Sequence, residues 1–392
     1  MKTNRNIIRF MYSISVITFM TCVVLTPDLL SLSRLFESPD AIFRSQLLVI
    51  APAISALVVS VFWTTIRIPH QYWGKLLFLI SLIVYGVTGI LCYWETSFQS
   101  MFLTRLLLGF AMGLISMLLV QRGHLYLTEV KERVFVRTQG VVVGVSTMFL
   151  LLLSGWLGTY GWKYPFLIYL LAFYPVLYGM WLYIQGIGLD PRSISRPQKY
   201  FMNRKFWMII IAAFVFVLFL TLYFLQIPFL IDRLPLTDQM QTAGLLGLLV
   251  ILFILGGTFY APVYHFASRE VIYFITLGMI ATGTFILGAA FDINKVFLSL
   301  LFIGVGSGLL FATAYNSVRH HIPNDVYGLW KYKLVTVVLL AQVVSPFLIY
   351  LCNGGQFVRL FFVGMAAFVV FILIVVLVIS MWIKNRVSTS KA

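Results

Sequence analysis

Twelve runs of apolar residues, each long enough to cross a bilayer, divide this chain and leave room for little besides a membrane architecture. A hydrocarbon core of about 30 Å takes about 20 helical residues. The runs fall at roughly 10–32, 42–65, 73–93, 98–121, 134–155, 163–185, 206–231, 242–262, 270–290, 296–318, 328–351 and 357–383. Hydrophobic residues make up 61% of the 392 and charged ones 10%, against about 45 to 50% and about 25% in a soluble domain. A water-soluble fold is excluded. In lipid every backbone polar group needs a partner inside the structure, so runs of this length are helices. The expected fold is all-α and integral to the membrane, with twelve transmembrane helices.

The formal charge of +16 would suggest nucleic acid in a soluble chain, but here its distribution along the runs is what counts. With the chain starting inside, the inner segments hold 21 Lys and Arg residues and the outer segments six: Arg34, Arg44, Lys163, Arg233, Lys295 and Arg359. Cytoplasmic loops concentrate Lys and Arg, so both termini are expected inside, and a nucleic-acid partner drops out. The basic leader before Arg9 has no small-residue cleavage site behind it, so the first run reads as an uncleaved span. Tryptophans near run ends, from Trp63 to Trp382, read as anchors at the headgroup level.

The longest polar break, residues 186–205, is rich in Pro, Gly and basic residues and falls at mid-chain, with six runs on each side. It divides the chain into a six-helix bundle over 1–185, a cytoplasmic central loop over 186–205 and a second six-helix bundle over 206–392. A shift of 195 positions superposes Gly109 on Gly304 and Gly113 on Gly308. Self-similar halves mark transporters built of two related bundles about a pseudo-two-fold axis. The four glycines are expected to serve close helix packing or hinging.

One charge lies deep in a run: Arg105, within Ser100–Gln121. A cation at that depth is costly unless paired or wet, and is a functional suspect by default. Of twelve acidic residues, Asp28 alone falls within a predicted span, just after Pro27. Their depths from the outer end differ by about 5 Å at 1.5 Å per residue, a gap an arginine side chain can bridge. Asp28 and Arg105 are therefore the expected coupling pair for proton and substrate. The other reading has Pro27 end the helix early, with Asp28 in outer-side water and Arg105 held by backbone carbonyls.

Neutral polar residues inside runs are Gln139, Tyr223, Gln226, Tyr315, Asn316 and Gln342. Each is a candidate to line a cavity, or to join helices by hydrogen bonds. Cys22, Cys92 and Cys352 show no paired spacing, and the five histidines lack the Cys, Asp or Glu a metal site needs. No metal and no cofactor is expected. His124 with Glu129, or His320 and His321 with Asp325, would be the poor candidates for an integral membrane transferase.

The chain resembles the major facilitator superfamily over essentially its whole length. In the fourth run Arg105, Gly109 and Ala111 fit that family's Arg-x-x-x-Gly-x-small pattern. Gly155-Trp156-Leu157 followed by Gly161-Trp162-Lys163, Gln226-Ile227-Pro228 and Asn324-Asp325-Val326-Tyr327-Gly328 resemble softer features of it. The segment Thr64 to Lys75 departs from the family's Gly-x-x-x-Asp-Arg-x-Gly-Arg-Arg motif and carries no acidic residue. The Gly-Pro pair of many proton antiporters is replaced by leucines at Leu150 to Leu153, while Ser345-Pro346 remains. The resemblance implies that Arg105 faces a central cavity and that the seventh and tenth runs, with Gln226 and Asn316, lie beside it. It further implies a secondary transporter working by alternating access, read here as a monomer in a bacterial inner membrane. Resemblance to compact proton-linked efflux members favours export of a drug-like or siderophore-like metabolite, with a proton as partner. The alternative is uptake of a sugar, peptide fragment or organic anion.

Overall fold

A computed structural model describes residues 2–36, 38, 40–63, 71–126, 129–184, 204–234, 238–321 and 327–389. Among them are fourteen α-helices and one 3₁₀ segment. In chain order these are α1 (Lys2–Val23), α2 (Leu29–Leu35), α3 (Ala41–Phe62), α4 (Gln71–Leu91), α5 (Phe98–Tyr126), α6 (Glu129–Gly158), the 3₁₀ segment (Tyr164–Ala172), α7 (Phe173–Ile184) and α8 (Arg204–Ile231). There follow α9 (Gln239–Thr258), α10 (Tyr260–Phe266), α11 (Arg269–Gly288), α12 (Ile293–His321), α13 (Tyr327–Leu351) and α14 (Val358–Thr389). Eleven of the helices are long and apolar enough to cross a membrane, and α4 carries a shorter apolar stretch, Leu76–Leu91. Large apolar side chains such as Leu177, Leu351, Leu360 and Phe371 are more than half exposed. That surface suits acyl chains and not water.

The helices depart from the predicted runs where proline or glycine changes the backbone. The first run does not continue to 32: α1 ends at Val23, and residues 24–28 form turns before α2. Pro27 has no N–H and its ring clashes with the carbonyl four residues back. Asp28 therefore lies in a turn and not within a spanning helix. The sixth run opens as 3₁₀ after Gly161, whose φ of +142° lies in a region that side chains disfavour. The eighth run is interrupted at Phe259, between α9 and α10. Trp63 is also not an interfacial anchor, being 7% exposed and packed inside the protein. The predicted central loop lies outside the described residues, except that Arg204 and Lys205 begin α8, and residues 64–70 and 322–326 also lie outside them.

Two compact units can be distinguished. One comprises residues 1–232, 236–247 and 322–351, and the other 233–235, 248–321 and 352–392. In the first, α5 lies on α3 at its glycines. A Cβ on Gly109 would strike the Pro52 backbone, and one on Gly113 would come within 2.9 Å of the Ala56 Cα. In the second, α12 approaches α9 the same way: a Cβ on Gly304 would lie 2.5 Å from Leu252 Cβ, and one on Gly308 would strike the Phe253 carbonyl. Gly304 and Gly308 thus do in the second unit what Gly109 and Gly113 do in the first.

Replacing Gly109 by Val is expected to destabilise the protein by at least about 1 to 3 kcal/mol, the cost of overpacking against a backbone that cannot yield. Gly140 meets nothing within 4 Å, so Gly140→Ala should be neutral or gain up to about 1 kcal/mol of helix propensity. Thermal unfolding in one detergent compares the two; equal losses would refute the packing assignment.

Candidate functional site

Helices leave their last carbonyls without intrahelical partners, and a cation near that end is favoured by the helix dipole. At the end of α1 each such carbonyl from Thr21 on finds a donor from elsewhere. Cys22 O accepts from the Thr26 hydroxyl at 2.7 Å, and Val23 O from the Thr26 N–H at 3.2 Å. Val24 O, in the turn beyond, accepts from the Ser154 hydroxyl of α6. Thr21 O accepts from Arg105 Nη2 and from the Tyr169 hydroxyl, both at 3.5 Å.

Arg105 makes two further bonds. Its Nη1 donates to the Tyr169 hydroxyl at 2.6 Å and its Nε to Leu48 O at 3.2 Å. Leu48 stands four residues before Pro52 inside α3, so its carbonyl is the one that proline deprives of a helical N–H. The guanidinium thus serves two carbonyls orphaned by two different causes, a helix end and an internal proline. Arg105 is only 1% exposed. Tyr169 fits because Gly89 has no side chain: a Cβ there would lie 2.7 Å from the tyrosine Cβ. The network ends at Tyr85, whose hydroxyl bonds the Thr21 hydroxyl at 2.7 Å and donates to Ile17 O at 2.7 Å.

Asp28 and Arg105 do not form the expected pair. Among the described residues the one ion pair is Arg34–Asp232, at 3.0 Å and largely exposed. The electrostatic partner of Arg105 is instead the carbonyl end of α1, with Leu48 O and Tyr169. Nor does Asp28 stand in outer-side water, because it is 0% exposed. Its Oδ2 lies 3.3 Å from the Ser154 hydroxyl, and its Oδ1 has no hydrogen-bond partner. Ser154 has one hydrogen, and Val24 O is the nearer acceptor. A carboxylate enclosed so, with no cation, is costly unless it binds a proton.

Gly158, one turn after Ser154 on the same face of α6, underlies the carboxyl. A Cβ there would strike Asp28 Oδ1 and come within 2.9 Å of Gln239 Oε1. Gln239 opens α9, and its Nε2 donates to the Ser31 hydroxyl of α2. The pocket around Asp28 is therefore built from α2, α6 and α9 together.

The other sequence candidates are dispersed. Gln139 Nε2 donates to the Ser15 hydroxyl at 2.7 Å, joining α6 to α1. Gln342 Oε1 accepts a weak 3.9 Å contact from the Cys22 thiol. Asn316 Nδ2 donates to Ala312 O at 2.9 Å within its own helix, and Tyr315 stacks on Phe311. Tyr223 is buried in α8. Gln226 is wholly buried with both amide atoms unpartnered, and so is Gln46 of α3, which sequence reasoning missed. No cluster of three or more His, Cys, Asp or Glu that could hold a metal ion occurs among the described residues.

The sequence model of the Major Facilitator Superfamily matches residues 9–330. A D-xylose–proton symporter is similar in structure at 15% identity, over 93% of this chain and 96% of that one, with a TM-score of 0.69. The POT family transporter PepTSo matches at 12% identity, over 95% and 97%, with a TM-score of 0.72. A bacterial homologue of the human lysosomal transporter Spinster, inward-facing and occupied, matches at 15% identity, over 96% of each chain, with a TM-score of 0.69. No curated protein sequence matches the chain.

Tyr169→Phe is expected to cost about 1.5 to 3 kcal/mol, the worth of a hydrogen bond to a charged group. Tyr85→Phe, which removes bonds between neutral groups, should cost about 0.5 to 1.5 kcal/mol. Equal and negligible losses in chemical or thermal unfolding would show that Arg105 does not depend on Tyr169.

Proposed function

Because this chain belongs to the major facilitator superfamily, and so is an integral membrane transporter and not an enzyme, we propose a finer reading. It exports a small organic molecule, drug-like or siderophore-like, in exchange for protons across a bacterial inner membrane. Asp28 is the group that carries the proton. One observation supports this above the others: a wholly buried carboxyl with an unpartnered oxygen and, among the described residues, no cation within ion-pair distance. Such a group has two stable arrangements, enclosed with a proton or hydrated without one. That is what coupling a proton to alternating access requires.

Arg105 acts here as a fixed positive charge. Its donors go to Thr21 O, Leu48 O and the Tyr169 hydroxyl, so it holds α1 against α3 and α5 while leaving Asp28 free to titrate. The six-helix bundles divided at 186–205 rock about the cargo. Gln46 and Gln226, whose amides lack partners in this arrangement, are assigned to hydrogen-bond water or cargo in the other one. The scarcity of buried carboxylates disfavours polycations and suits neutral, zwitterionic or anionic cargo. Uptake is the competing direction, and accumulation in energised and de-energised cells separates the two.

With purified protein in vesicles under an imposed proton gradient, Asp28→Asn should abolish gradient-driven accumulation while leaving cargo exchange measurable. Undiminished gradient-driven transport by Asp28→Asn would remove Asp28 from the mechanism. The cargo for the assay comes from a ligand-stabilisation screen of metabolites, drugs and metal chelators.

A further inference from the structure

We propose that Gln239 is a positioning residue that senses the proton on Asp28. The end of the first unit around Ser31 and Gln239 closes when Asp28 is protonated and parts when Asp28 ionises. This deepens the reading above and rests on Asp28 as the proton carrier.

The geometry carries it. Asp28 Oδ1 and Gln239 Oε1 converge on the one place that Gly158 leaves empty, the latter oxygen standing 2.9 Å from where a Cβ would be. Two oxygens directed at one space repel unless one of them bears a hydrogen. The Gln239 atom nearest that space is the acceptor Oε1, while Nε2 donates one of its hydrogens to the Ser31 hydroxyl. Nor does Ser154 supply the need, since its single hydrogen has Val24 O as the nearer acceptor. A protonated Asp28 completes the set: its O–H can donate to Gln239 Oε1 while Nε2 continues to hold Ser31. An ionised Asp28, itself wholly buried, leaves an uncompensated charge facing an amide oxygen, which favours separation of α9 from α2 and α6.

Nothing else at this end explains such a response. Among the described residues no charged side chain forms an ion pair with Asp28. Arg34 of α2 pairs with Asp232, and Asp238, beside Gln239, is exposed and accepts from the Gln241 N–H at 2.8 Å. Arg105 is engaged with Thr21, Leu48 and Tyr169. The exposed Arg34–Asp232 pair adds little to closure, as surface ion pairs generally do. The close approach of α6 to α9, where a Cβ on Gly155 would meet Ala243 and cause a clash, packs the helices but does not titrate.

Hydrogen–deuterium exchange of the full chain in lipid nanodiscs, followed against pH, tests this. In the unaltered protein, exchange in 29–36 and 239–247 should rise several-fold as pH increases, while 270–288 of α11 stays constant. Asp28→Asn should keep both segments slow at every pH. Gln239→Met, of similar length but without the acceptor, should leave them fast at every pH, and Gly158→Ala, which puts a methyl group between the two oxygens, should do the same. A Gln239→Met or Gly158→Ala protein that keeps the unaltered pH profile would overturn the role of Gln239. If Asp28→Asn has lost gradient-driven transport, that result leaves the proton-carrier reading standing. Normal gradient-driven transport by Asp28→Asn would instead remove the reading itself.

Discussion

A single buried guanidinium ties the start of this fold together, and it does so through backbone oxygens. The end of α1 and the proline in α3 each leave a carbonyl without a helical partner, and Arg105 of α5 reaches both while bonding the Tyr169 hydroxyl. In hydrocarbon surroundings no water is available to serve those carbonyls. Removing the arginine would therefore strand Leu48 O and leave Thr21 O with the Tyr169 hydroxyl alone, as well as delete a charge. The glycines provide the closeness this needs: Gly109 and Gly113 bring α5 onto α3, and Gly89 admits the Tyr169 ring.

The consequence for Asp28 is electrostatic. A carboxyl seven residues beyond Thr21 could have served as the counterion, and a permanent pair would have held it ionised. Because carbonyl dipoles and a tyrosine occupy the guanidinium instead, the carboxyl is left with Ser154, Gly158 and Gln239. The two sites nonetheless share a short piece of chain. Thr21 receives Arg105 and Val24 receives Ser154, so residues 21–28 join the buried guanidinium to the buried carboxyl.

Much of the fold could be read from apolar run length, since in lipid the backbone has few alternatives. The small-residue spacing was equally legible: an offset of 195 brings Gly109 and Gly113 onto Gly304 and Gly308, and each pair lies against a neighbouring helix backbone. What the sequence concealed was partnership. Depth counted along a continuous helix brought Asp28 within about 5 Å of Arg105, but the helix ends at Val23 and Asp28 lies in the turn beyond it. Pro27 and Pro52 carried the missing information, because each marks a helix end or an unpaired carbonyl that would attract a donor. The Asp28 pocket was harder to foresee. Ser154 lies in a leucine-rich run, Gly158 just beyond it and Gln239 more than 200 positions from Asp28, so only the folded chain brings them together. Trp63 shows the same limit, since a position near a run end does not decide whether an indole faces lipid or protein.

The account turns on Asp28 being a proton carrier without a counterion, and infrared difference spectroscopy between acidic and alkaline solution observes that directly. The carbonyl stretch of a protonated carboxyl should appear in the unaltered protein at low pH, diminish as pH rises and be absent from Asp28→Asn. It should persist in Arg105→Gln, because the guanidinium is not what holds Asp28. A band that survives Asp28→Asn unchanged, or the absence of any such band in the unaltered protein, would contradict the account.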